Sequence, residues 1–207
     1  MNNEKMPLIV GAWYKNSYEN FAKLIAVWNE DLALVYFESM EFGLNCFGLV
    51  FMDNLAEEKF SSPYDKTVRG IAFLGAGPYS PSVHYHAYNR WSAMIRRVVN
   101  ADFDNKPCYM GVGISTEFLN FQTFAKWFYD QPGHDKDDYH LDKDLLSSAG
   151  LVMYSPETCC FLPAQINSTL PRFDNKEQYQ DFVSALAEKY KDEISEKAYS
   201  ALLNYYQ

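Results

Sequence analysis

The stretch DYHLDKDLLSSAGLVMYSPETCCFLPAQIN, residues 138–167, sets one histidine among charges, then a loop, two adjacent cysteines and a Pro-led segment ending in asparagine. Hydrolysis of a phosphodiester needs few parts. A histidine on a first strand serves as general base for an attacking water, and a divalent cation is held by carboxylate or amide ligands. The stretch has its groups in that order: His140 in YHLDKDLL, a loop at SSAG, a return through LVMYSPETCCFLP, and a helix opened by AQIN that bears Asn167. The same residues have a plain structural reading. His140 then hydrogen-bonds across a hairpin, while Asp142, Lys143 and Asp144 form a solvated ion-pair cluster.

The elements that must position these groups are legible from pattern. KLIAVW and LALVYFES are β-branched and aromatic runs joined by the turn Asn29-Glu30-Asp31, and EFGLNCFGLVFM reads as a third strand with Gly43 and Gly48 at turn or bulge positions. AEEKFSSPYDKT reads as a polar linker, and RGIAFLGAGPYSPS as a short strand running into a Gly/Pro loop. A helix is predicted from Tyr85 with Tyr88, Trp91, Ile95 and Val98 on one face, and a second from Thr116 with Phe118, Phe121, Ala125 and Phe128 inward, ended by Pro132-Gly133. In the tail, Asp174 and Glu177 resemble a capping box, Tyr179, Phe182, Leu186 and Tyr190 form an apolar stripe, and helix resumes through SEKAYSALLNYY. The expected architecture is α+β. A β module spans residues 1–60, a hairpin-helix core with a helical middle spans 61–170, and C-terminal helices span 171–207.

Composition narrows the function classes. The chain has 207 residues, 48% hydrophobic and 17% aromatic, and so folds around a real core. Its net charge of −9 opposes a phosphate backbone. Residues 1–60 hold four basic and nine acidic side chains, whereas 61–130 hold seven and five, so only that second stretch offers a basic surface. Cys46, Cys108, Cys159 and Cys160 form no C-x-x-C pair and read as reduced thiols of a cytoplasmic protein. No leader or bilayer-length apolar run is seen, so no membrane role is expected.

HLDKDLL, YSPETCCFLPAQIN and the upstream FLNFQTFAKWF resemble a family of phage-encoded HNH homing endonucleases that often carry an Apetala-type DNA-binding domain near the C-terminus. The likeness runs from AVWNEDLALVYFES through DKTVRGIAFLG to AEKYKDEISEKAYSALLNYY, and so covers almost the whole chain. The resemblance implies an HNH-like ββα hairpin-helix with His140 as general base, Asn167 as a metal ligand, and Asp142 and Asp144 as ligands or orienting carboxylates for Mg2+ or Mn2+. Three departures stand against activity. Tyr139 occupies the place before the histidine where many active sites carry a ligand. Only PRFDNKEQYQD stands where a basic DNA-binding sheet is expected. Glu57 and Glu58 replace a basic turn.

The resulting expectation is a phage accessory protein, repurposed from such an enzyme in the cytoplasm of an infected bacterial host. It needs no cofactor and binds DNA weakly or not at all. Through Glu57, Glu58, Asp137 and Asp138 it docks onto a basic host protein, a nucleic-acid or anti-phage defence enzyme, and inhibits it; homo-oligomerisation is allowed. The alternatives are an active metal-dependent nicking endonuclease, and a sponge that holds a nucleotide signal against Arg90, Arg96 and Arg97 as phosphate contacts. His84 and His86 in VHYH read as loop residues or metal ligands, and HDKDD (134–138) as a solvated turn or a hard-cation loop.

Overall fold

The computed structural model describes residues 7–101, 107–147, 152–170 and 176–204 and shows an α+β protein of two compact units, residues 1–78 and 79–207. The first unit is built on a four-stranded antiparallel sheet in sequential order, β1 (Trp13–Lys15), β2 (Phe21–Val27), β3 (Leu32–Ser39) and β4 (Leu44–Phe51), followed by a short helix α1 (Met52–Ala56). Strand β3 alternates half-buried and buried along its length, as a period of two demands when one face meets the core. Ala22, Leu24, Ala33, Val35, Phe37 and Val50 form that inner face. Asn29 closes the β2–β3 turn by accepting from the amides of Asp31 and Leu32, at 2.9 and 2.8 Å.

Gly48 lies within β4, and the bulge falls instead in β2, between Leu24 and Ala26. A Cβ at Gly48 would sit 2.8 Å from the Phe37 ring, so the glycine admits that ring. The stretch expected to be a linker is packed. Phe60, Ser62, Tyr64 and Asp65 are buried, and Asn16 donates to Asp65 Oδ1 at 2.8 Å and to the Phe60 carbonyl at 3.2 Å. These buried polar partners tie the segment to the strands, so the first unit runs on to residue 78 rather than ending near 60. The strand expected at RGIAFL does not form; Ala72 pairs with Val68 in an isolated bridge, and Phe73 is a bridge residue too.

The second unit opens with α2 (Tyr85–Val99) and continues through β5 (Gly113–Ile114), α3 (Thr116–Leu119) and α4 (Phe121–Tyr129). Helix α2 buries Ala87, Trp91, Met94 and Ile95, a face turned slightly from the predicted one, with Tyr88 and Val98 at its margins. The predicted helix from Thr116 is broken at Asn120, whose side chain accepts from the Gln122 amide at 3.0 Å and so caps α4. All four of its expected inward residues are buried, and Phe124 joins them.

Next come β6 (Tyr139–Asp142), β7 (Met153–Tyr154), β8 (Cys160–Pro163), α5 (Ala164–Thr169), α6 (Lys176–Tyr190) and α7 (Glu196–Leu203). Strands β6 and β8 pair antiparallel, β5 and β7 parallel. In α6 the buried residues are Val183, Leu186 and Ala187, whereas Phe182 is exposed and Tyr190 half-buried, so the stripe is rotated from the predicted one. Asp174, the Glu177 side chain and the Tyr179 side chain lie outside the described residues. Among the described residues no helix is long and apolar enough to cross a membrane.

Candidate functional site

Strands β6 and β8 with helix α5 form a ββα hairpin-helix, with His140 opposite Leu162 in the strand register. The amide of Ala164 donates to the Asp138 carbonyl at 2.8 Å, which fixes the start of α5 against the start of β6. Along β6, Tyr139 and Leu141 are buried and His140 is exposed. Along α5, Ile166 points inward, and its neighbour Asn167 brings Nδ2 to 3.4 Å from Nδ1 of His140. Two residues 27 apart in sequence thus meet through the hairpin. Tyr139 is held by its ring, packed over Gly133, and by its hydroxyl, which donates to Glu193 at 3.0 Å; Glu193 is also ion-paired with Lys136.

His140 and Asn167 lie in a cleft of about 550 Å³ whose other wall comes from α2. His86, Arg90, Ala93 and Arg97 follow at intervals of four, three and four, one stripe of the helix beside its buried face. Ala93 stands between Arg90 and Arg97 on this stripe. Asn89, Tyr85, Tyr109 and Asp137 complete most of the lining. Among the described residues, two arginines, two histidines and two amide side chains therefore converge on one space with a single carboxylate. Such a set of donors suits an anion with several acceptor oxygens. The volume matches one nucleotide-sized group, small-ligand sites being typically about 300–1,000 Å³.

The carboxylates expected to hold Mg2+ or Mn2+ are engaged elsewhere. Asp142 is 5% exposed and accepts from the amides of Asp144 and Leu145 at 2.9 and 2.8 Å, closing the turn after β6. Asp144 pairs with Lys143 at 2.6 Å, and that lysine, itself 6% exposed, lies near the rings of Tyr109 and Tyr154. Neither acid lines the cleft. Among the described residues no three His, Cys, Asp or Glu side chains are grouped so as to hold a metal ion. Such a donor set does not fit Mg2+ or Mn2+.

Other candidates fall in varied places. Arg96 is exposed and outside the cleft, whereas Arg90 and Arg97 line it. Glu57 pairs with Lys59 and Glu58 has φ 55°, both in the first unit; Asp137 lines the cleft and Asp138 is exposed, both in the second. His84 accepts from the Ser80 amide and packs on Tyr79, while His86 joins the cleft, so the pair is split. In HDKDD, His134 bonds to the Gln131 carbonyl and Lys136 pairs with Glu193. Burial pushes the Cys159 thiol up to about 12 and raises Cys160 as well, so both stay protonated and unreactive near neutrality.

The Asp142 turn makes one prediction. Burial outweighs the two amide hydrogen bonds and lifts its carboxyl from 3.8 to about 6. The folded state therefore binds that proton more tightly than the unfolded chain. This contribution is complete below about pH 4 and is lost as pH rises through about 6, on the order of 3 kcal/mol for a two-unit shift. Asp142→Asn keeps an acceptor oxygen for the turn and removes the buried charge. Urea unfolding at pH 8 is expected to show the variant about 2 kcal/mol more stable than wild type, with the difference shrinking towards pH 4.

Comparisons of the chain with protein-family models, with curated proteins and with solved structures gave no match.

Proposed function

We propose that this chain is a phage accessory protein on an HNH-derived ββα frame, which holds a phosphodiester or nucleotide phosphate in its cleft without cutting it. The observation that carries this reading is the cleft chemistry. In a chain of net charge −9, Arg90, Arg97, His86 and His140 are gathered in one concavity, with Asp137 the one carboxylate among its described lining residues. The guanidinium groups of Arg90 and Arg97 supply charge-assisted donors, Asn167 and Asn89 supply neutral ones, and Tyr85 and Tyr109 offer ring faces for a base. The test is equilibrium binding of a labelled short single-stranded oligonucleotide in chelator, read across salt. Neutralising two phosphates sets a slope of about −1.4 in log K against log salt, and Arg90→Ala or Arg97→Ala lowers it by about 0.7 with roughly tenfold weaker binding. A slope unchanged by both variants would sink the reading.

A second reading has the protein dock onto a basic host nucleic-acid or defence enzyme and inhibit it. The 27 acidic against 18 basic side chains favour it, since a net negative surface complements a basic partner. The endonuclease reading is separated by incubating supercoiled plasmid with Mg2+ or Mn2+. We expect intact plasmid, and nicking abolished by His140→Ala would instead make the chain an enzyme.

A further inference from the structure

The four-stranded sheet of the first unit leaves its outer face bare. Across the strands Trp13, Lys23, Tyr36 and Phe47 share one row, and Leu34 with Leu49 and Leu32 with Phe51 form two more. The Trp13, Tyr36 and Phe47 rings touch edge to face, with centroids 6.2 and 5.4 Å apart. Trp13 is 45% exposed, Phe47 65%, Leu49 50% and Phe51 60%, and Phe21 adds to the patch. We propose that this face is the contact surface for a second copy of the chain, an interaction independent of the cleft.

Two observations select that occupant. With about 200 Å² for each whole side chain, the exposed fractions sum to roughly 500 Å² of apolar surface. Two copies face to face would bury about 1,000 Å², the least that a specific interface needs. A contiguous patch of this size lies at the upper end of what single chains expose, where patches commonly mark contact sites.

The second observation is the polarity of the face. Lys15 and Lys23 stand at the end where Phe21 pairs with Glu38, and Glu30 and Asp31 stand at the opposite end, in the β2–β3 turn. A two-fold axis in the contact plane and across the strands lays the lysine end of each copy over the acidic turn of the other. Lys15 is paired with Glu19, so Lys23, held over the Trp13 ring, is the cation directed at that turn. Glu38 shares the lysine end, so the apolar area carries the affinity and the charges set the direction. Nucleic acid is disfavoured as the occupant by the nine acidic residues among the first sixty.

The test is light scattering on the full chain at micromolar loading, with sedimentation equilibrium for the affinity. Wild type is expected at twice its 23.9 kDa mass. Phe47→Asp is expected to weaken association at least about 30-fold, as loss of a central aromatic anchor does. The conservative Phe47→Thr keeps a strand-forming side chain should the aspartate prevent folding. Lys23→Glu is expected to weaken the dimer, and Lys23→Glu combined with Asp31→Lys to restore it. A wild type found as a single copy, or a folded Phe47 variant that stays dimeric, overturns the proposal.

Discussion

Trp91→Ala is expected to cost the second unit about 4 kcal/mol. The indole is 0% exposed and packs against Phe121 at 5.2 Å and Tyr88 at 5.8 Å between ring centroids. Its Nε1 donates to the Phe118 carbonyl at 2.7 Å, in the short helix α3 that precedes α4. Truncation removes the buried ring, opens a cavity among aromatic neighbours that do not readily collapse, and leaves that carbonyl without its donor. Trp91→Phe keeps most of the volume and loses mainly the hydrogen bond, so about 1–2 kcal/mol is expected. Urea unfolding followed by far-ultraviolet circular dichroism separates the two. Equal midpoints for Trp91→Ala and wild type would contradict this packing. Because α2 also carries His86, Arg90 and Arg97, the alanine variant should lose ligand binding along with stability.

Gly133→Ala is expected to cost about 3 kcal/mol and to disturb His140 without touching it. Gly133 has φ +77°, where an L side chain is strained, and a Cβ there would stand 2.4 Å from Cδ1 and 2.7 Å from Cε1 of Tyr139. That ring is fully buried and its hydroxyl is tethered to Glu193, so the clash must be relieved by moving the backbone of β6. The left-handed backbone contributes about 1–2 kcal/mol and overpacking about 1–3 more. Gly111→Ala provides the comparison. Its φ is +75° with nothing within 4 Å of the added carbon, so it bears the backbone cost alone. A Gly133 variant no less stable than the Gly111 one would show that the ring can yield.

How far the sequence reached depended on whether a feature is local. The β-branched and aromatic run LALVYFES announced β3, and the motif order from His140 to Asn167 announced a hairpin-helix that the structure forms, with the two side chains meeting. The three residues of β1 carry too little pattern to be read, and Asn16 meets Asp65 across 49 positions that look like strand, turn and linker. Asp142 and Asp144 stand near the histidine, and their spacing allows either metal ligands or orienting carboxylates, as the resemblance implies, or an ion-pair cluster with Lys143. The turn after β6 draws Asp144 to Lys143 and Asp142 to backbone amides, the latter a geometry no spacing reveals. The sequence groups Arg90, Arg96 and Arg97 and leaves His86 beside His84 in a loop or at a helix entry. That His86, Arg90 and Arg97 share one stripe of α2, across the cleft from the hairpin-helix, is a property of the fold alone.

The most direct test of the phosphate cleft uses the four histidines of the chain as reporters. His86 and His140 line the cleft; His84 is bonded to Ser80 beside Tyr79, and His134 to Gln131. Imidazole resonances of the full chain, assigned by His→Gln substitution, are followed while a thymidine dinucleotide with a 5′-phosphate is added. The His86 and His140 signals are expected to move together and saturate, with those of His84 and His134 unchanged and the effect lost in the Arg90→Ala/Arg97→Ala variant. Movement confined to His84 or His134, or four signals that stay still at millimolar dinucleotide, would contradict the account.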